Sequence, residues 1–161
     1  MAELSHTDSK GKAHMVDVSN KETNLRTASA RCVVFLNKNA YQAVKNNQIA
    51  KGNVLSVAKI GGIQAGKKTS ELIPLCHNIF ISHLDIQFTL NDNDKSIVIV
   101  SSAKTDSQTG IEMEALTAAS VAGLIIYDMC KALDKSIRIT EIELISKTGG
   151  KSGNYTKDEN V

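Results

Sequence analysis

The chain of 161 residues has no tryptophan, a single proline and only 4% aromatic residues. A core without large rings must be packed from Ile, Val, Leu and Ala, and a hydrophobic content of 42% is enough for one domain. The shortage of rings also argues against an RNA-binding sheet, whose strands need paired aromatics to stack bases. The formal net charge is only +2, so the chain lacks the basic excess of a nucleic-acid-coating protein. Any positive field must come from local clustering. Cys32, Cys76 and Cys130 are scattered, with no CxxC pair and no Cys/His run of zinc spacing. They read as reduced thiols of an intracellular protein, and they exclude the clustered ligation of an iron-sulfur centre. No apolar run approaches the length of a membrane span, and the opening MAELSHTDSKGK has neither a signal core nor an Arg-rich amphipathic character. We expect a soluble protein with a loose tail over 1–12, a single domain over 13–153 and a second tail over 154–161, without internal repeats.

What is present is a sequence of alternating and helical patterns. His14 to Val18 is the first stretch able to pair as a short strand, and Lys21, Arg26 and Arg31 follow in a polar setting, either as solvated surface or as an arm reaching an anion. Cys32 to Leu36 reads as a buried strand, and Asn37 to Asn47 as a helix. Val54 to Leu72 is a second helical pattern whose stripe of small residues includes Gly61, Gly62 and Gly66. Glycine inside a helix costs about 1 kcal/mol relative to Ala, so close backbone approach is the expected reason for keeping it there. Pro74 ends that segment. His83 to Leu90 and Ile97 to Ala103 form a hairpin around Asn91 to Asp94, and Ile137 to Leu144 is a last strand. From Arg31 the order is strand, helices, strand, strand, helix, strand. That is the α+β, ferredoxin-like arrangement, an antiparallel sheet with helices packed on one face.

The longest helical pattern, Gly110 to Lys131, carries the most chemistry. Leu116, Ala119, Ala122 and Ile126 recur at helical spacing, and its many small residues predict burial on more than one side. Glu112, Glu114, Asp128 and Lys131 interrupt this apolar text, and charges in such surroundings must be partnered, neutralised or functional. Two bland readings stay open: Thr109-x-x-Glu112 fits a capping box, and Asp128 with Lys131 fits a solvated i,i+3 pair. Glu114 and Asp128 lie fourteen residues apart, about 21 Å along a helix. One pocket of one chain can hardly use both ends, so a site drawing on both is shared between copies of the chain. His77, beside Cys76 after the proline, can serve as acid, base or phosphate donor. Lys147 to Gly153 is a basic glycine-rich loop whose amides suit phosphates if it is not simply a flexible tail. It is not a Walker A loop, because Ile145 stands where that motif requires glycine and no helix follows.

The stretches Lys51-Gly52-Asn53-Val54, Gly62-Ile63-Gln64-Ala65, Ile73-Pro74-Leu75-Cys76-His77, Thr109 to Thr117, Tyr127-Asp128-Met129-Cys130-Lys131 and Lys147-Thr148-Gly149-Gly150 together resemble the MoaC family, the cyclic pyranopterin monophosphate synthases of molybdenum cofactor biosynthesis. The resemblance runs from about His14 to Gly153. It implies a lyase that rearranges 3',8-cyclo-7,8-dihydroguanosine triphosphate to cyclic pyranopterin monophosphate with release of pyrophosphate. It also implies a homohexamer built from dimers with sites between subunits, and a functional link to the upstream radical GTP cyclase. Carried over residue by residue, it puts substrate on Leu75, Cys76, His77, Glu112, Met113, Glu114 and Lys147, with Arg26 and Lys67 as further holders of the triphosphate. Lys51, Asp128, Lys131 and His77 form the implied catalytic set. Base recognition is expected at the Met113 end, and phosphate or ring chemistry around Lys51, Asp128 and Lys131. The departures are Asn53, where an acidic residue is expected, Lys59 for Arg, and Gly61 and Gly66 for Ala. No resident cofactor, metal, nucleic acid or membrane is expected, with Mg²⁺ on the triphosphate left open. The implied location is the cytoplasm, or the mitochondrial matrix for a eukaryotic source. The rival reading is a non-catalytic module that senses a phosphorylated metabolite and for which Lys131 is dispensable.

Overall fold

A computed structural model describes residues 11–151 and 153–158. The expected N-terminal tail therefore lies largely outside the described residues, as does Ser152 of the glycine-rich loop. The elements are β1 (Asn24–Phe35), α1 (Lys38–Lys45), α2 (Val54–Gly66), α3 (Thr69–Leu72), β2 (His83–Asn91), β3 (Ser96–Ser107), α4 (Glu112–Cys130), β4 (Arg138–Thr148) and β5 (Tyr155–Thr156). The sheet runs β2-β3-β1-β4-β5, and every pairing is antiparallel. Its first four strands follow the ferredoxin-like order, as expected from the sequence.

Period-two alternation explains how the strands lie. Ala28, Ala30, Cys32 and Val34 of β1 are buried, and α4 packs across β1, β3 and β4 with α2 alongside it. α2 and α4 run antiparallel in intimate contact. A Cβ on Gly62 would stand 2.7 Å from the Ala118 carbonyl oxygen and collide with Ile86, so only glycine lets the backbones meet. The expected burial of α4 on several sides holds, with Ala115, Ala118, Ala119, Ala122 and Ile126 inaccessible to solvent.

Several expectations need correction. β1 begins at Asn24, so Arg26 and Arg31 belong to a central strand, where sheet pairing overrides their local polarity. Residues 14–18 form no strand. The pattern over 54–72 is two helices, because the Thr69 hydroxyl donates to the Gly66 carbonyl (2.9 Å) and turns the chain there. Tyr155 and Thr156, expected in a tail, pair with Lys147 and Ser146 as β5. α4 is also long and apolar enough by composition to cross a bilayer, contrary to the reading that no run approaches that length. Half of its apolar window is buried within the fold, as in the core helix of a globular domain.

Candidate active site at the two ends of α4

The antiparallel packing of α2 and α4 creates two polar clusters. At the C-terminal end of α4, Asn53 caps α2 by accepting from the Ser56 amide (2.8 Å), a local duty for the residue found where an acid was expected. The cap holds the preceding turn against α4. Lys51 Nζ donates to the Asp128 carbonyl oxygen (2.8 Å) and to Asp128 Oδ2 (3.3 Å), and Lys131 Nζ donates to Oδ1 (2.7 Å). The hydrogen bond from Lys131, then that from Lys51, holds the Asp128 carboxyl below its usual range, and Asp128 raises Lys131 in turn. At neutral pH the cluster is a carboxylate between two ammonium groups, all open to solvent.

The N-terminal end is enclosed. A cavity of about 250 Å³ is bounded by Leu75, Cys76, His77, Glu112, Met113, Glu114 and, from the N-terminal arm, Val16, Val18 and Lys21. A second cavity of about 370 Å³ shares Lys21, Thr109, Gly110 and Glu112 with it and adds Arg26, Lys147, Gly150 and Lys151. Drug-sized ligands occupy roughly 300–1,000 Å³, so a nucleotide with a polyphosphate requires the two together. Glu114 is 4% exposed and has no cation within salt-bridge distance among the described residues. Burial pushes it up to about 7, with the Glu112 charge adding to the rise. Cys76 is raised by the same causes, burial first and then Glu114.

Glu112 makes no capping box. The helix begins without a side-chain cap, and Glu112 pairs instead with Lys147 at 2.9 Å. Arg26 is 8% exposed and donates to the carbonyls of Ser107 (2.8 Å) and Gln108 (3.2 Å), so its charge is held in place without a neutralising carboxylate among the described residues. Gly149 has a positive φ of 79°, and a Cβ there would strike the Leu25 carbonyl, so glycine is what seats the 147–151 loop over β1. A further cavity of about 510 Å³ beside Tyr155 and Lys157 reaches the other side of Lys147. Its acid, Glu143, is already neutralised by Arg31 and Lys157.

Most of the expected residues are thus brought together, but in two groups. Leu75, Cys76, His77, Glu112, Met113, Glu114, Arg26 and Lys147 share the N-terminal end, and Lys51, Asp128 and Lys131 share the other. His77, expected in the catalytic set, stands with the first group. Lys67 lines neither cavity, being the exposed C-cap of α2. On sequence grounds Lys21 is only solvated surface or part of an anion-reaching arm, and Lys151 only part of a basic loop, because nothing local separates their side chains from ordinary surface lysines. The cation cluster they form with Arg26 and Lys147 exists only after β1, β4 and the arm converge.

Residues 15–150 match the model of the MoaC family. The chain is 51% identical over 159 residues to a cyclic pyranopterin monophosphate synthase of Heliobacterium modesticaldum, a match covering 99% of this chain and 100% of that protein. It is 52% identical over 156 residues to the protein of that name from Peptoclostridium acidaminophilum, covering 97% and 98% respectively. A protein of Arabidopsis thaliana named cyclic pyranopterin monophosphate synthase, mitochondrial, is 52% identical over 157 residues, which is 98% of this chain and 58% of the relative.

Proposed function

The chain belongs to the MoaC family, and on that premise we propose that it is a pyrophosphate-releasing lyase, a cyclic pyranopterin monophosphate synthase acting in molybdenum cofactor biosynthesis. Its substrate is 3',8-cyclo-7,8-dihydroguanosine triphosphate, the product of a radical cyclisation of GTP. The observation that carries the reading is the pair of adjoining cavities at the N-terminal end of α4, where a buried acid that is in no salt bridge among the described residues lines one cavity and Lys21, Arg26, Lys147 and Lys151 line the other. A purine edge with N–H and ring-nitrogen groups suits Glu114, and a polyphosphate suits the cations. On this reading the triphosphate lies next to the base pocket, a different assignment from the phosphate or ring chemistry expected around Lys51, Asp128 and Lys131.

The other end supplies proton transfer. Asp128 stays ionised and orients Lys51 and Lys131. It acts through them, and the ammonium groups are the proton donors as the rings rearrange and the pyrophosphate departs. α4 spans 19 residues, about 28 Å, so the two clusters work on one substrate only when one copy's C-terminal end meets its neighbour's N-terminal end. A two-fold axis near the middle of α4 makes that exchange, and the solvent-exposed apolar side chains of Val57, Ile60 and Leu124 on α2 and α4 favour a covered face. We propose a homohexamer built from such dimers, without a resident cofactor and with any Mg²⁺ arriving on the triphosphate. The compartment is the cytoplasm in bacteria and the mitochondrial matrix where a eukaryote makes the protein.

The deciding experiment supplies the cyclic nucleotide triphosphate and measures pyrophosphate together with the pterin product. Turnover by the wild type, lost in Lys51→Ala with binding retained, is the expected result. Binding without conversion by the wild type supports a metabolite-sensing module instead.

A further inference from the structure

Residues 14–19 have no strand partner, yet they alternate as a strand does. Val16 and Val18 are half-buried and line the base cavity, while Met15, Asp17 and Ser19 are exposed. The segment is held at several points. Asp17 Oδ1 accepts from the Ser19 amide (2.9 Å) and hydroxyl (2.6 Å), the Lys21 amide donates to the Val18 carbonyl (2.9 Å), and Gln108 Nε2 reaches the Ser19 carbonyl at 3.5 Å. The segment meets the chemistry of the cavity at His77, whose Nε2 makes a 2.8 Å hydrogen bond with the Val16 carbonyl oxygen and whose ring faces the Asp17 carboxylate electrostatically.

A carbonyl oxygen can only accept, so the proton of that bond belongs to Nε2. In the neutral ring, Nδ1 then carries the lone pair. We propose that residues 16–18 are a strap across the cavity whose Val16 carbonyl is a positioning group: it holds His77 as the Nε2–H tautomer, so the ring offers substrate an acceptor at Nδ1 and selects for an N–H or O–H group there. The neutral ring accordingly has no N–H left to donate to a phosphate, one of the roles open to His77 on sequence grounds. Backbone supplies the controlling atom, so no side-chain motif announces it. The effect on turnover rests on the proposed function, but the tautomer does not.

The test uses the full chain labelled with 15N-histidine, with the His77 signals assigned by their loss in His77→Asn. Wild type is expected to show one protonated nitrogen, Nε2, and one unprotonated nitrogen, Nδ1. The double variant Val16→Gly/Val18→Gly leaves the core untouched and keeps both carbonyls, but it removes the two apolar side chains that seat the strap against the cavity, so the Val16 carbonyl is no longer held over His77. The variant should move His77 toward averaged tautomers and raise KM for the cyclic nucleotide about five-fold, the worth of one neutral hydrogen bond, with kcat little changed. Val16→Ile, which keeps the apolar anchor that glycine lacks, should leave both readouts close to wild type. An Nδ1-protonated or averaged His77 in the wild type overturns the proposal, as does a double variant with unaltered His77 signals. A wild type that shows the fixed tautomer but no turnover leaves the strap standing and removes the enzymatic reading.

Discussion

The two ends of α4 hold acids in opposite electrostatic states. Glu114 is buried with no cation within salt-bridge distance among the described residues and is pushed up to about 7, whereas Asp128 is open to solvent between two lysines and is held below its usual range. Both residues occupy one apolar helix, so helix position alone does not set ionisation. What differs is whether solvent or an opposite charge can reach the carboxylate. The buried end suits recognition of a ring edge, and the open, charged end suits proton delivery.

The sharpest way to break this comparison is at the open end. Lys131→Ala or Lys51→Ala should lower kcat by about 10²–10⁴-fold, the range of a lost general acid or base, with no change in melting temperature because both side chains are exposed. Co-expression of Lys131→Ala with Glu114→Ala, each inactive by itself, should recover about a quarter of wild-type activity if random dimers form and each site takes one end from each copy. No recovery in mixed dimers, read as pyrophosphate release, would mean that each copy works alone.

The buried end is next. Folding raises the Glu114 pKa from 4.5 to about 7, so the native state holds that proton more tightly than the unfolded chain. Its stability is fully present below about pH 4.5, falls as pH rises through 7, and stays low above it. The span is up to about 3 kcal/mol. Glu114→Gln should therefore raise the melting temperature at pH 8, change it little at pH 4.5, and flatten the pH profile measured by calorimetry. A profile identical to wild type would show that Glu114 is not buried as a charge. A smaller loss, about 1–3 kcal/mol, is expected for Gly62→Ala, which forces apart the α2–α4 seam joining the two ends and should be seen in chemical denaturation. Asp128→Asn marks the lower limit: its melting temperature should fall only slightly and evenly across pH 5–9, because the Lys51 and Lys131 pairs that it loses are exposed and contribute little.

Much of the fold was legible because its signals are local. The buried end of β1, the alternation of β2, the hairpin around Asn91 to Asp94, the strand character of β4 and the glycines of α2 each follow from a few neighbouring residues. The misses arose where tertiary pairing outweighed local character. Arg26, read as solvated surface or as part of an anion-reaching arm, sits in a central strand and donates to carbonyls at the end of β3 and just beyond it. Glu112 had the spacing of a capping box but found Lys147 from β4 nearer than the backbone amides. The site residues carried by motif, Leu75 to His77, Glu112 to Glu114, and Asp128 with Lys131, came through the family resemblance. Lys21, Lys151 and the Val16 carbonyl had no such signal.

The sequence by itself determined the element order, the burial of α4 and the distance between its two acidic ends, since each depends on periodicity and on the fixed rise of a helix. Only the tertiary structure decided which acid loses its charge, which lysines gather into one cradle and which nitrogen of His77 holds the proton. Those outcomes depend on solvent access and on partners far away in the chain, and Coulomb and desolvation energies follow distance in space rather than separation in sequence.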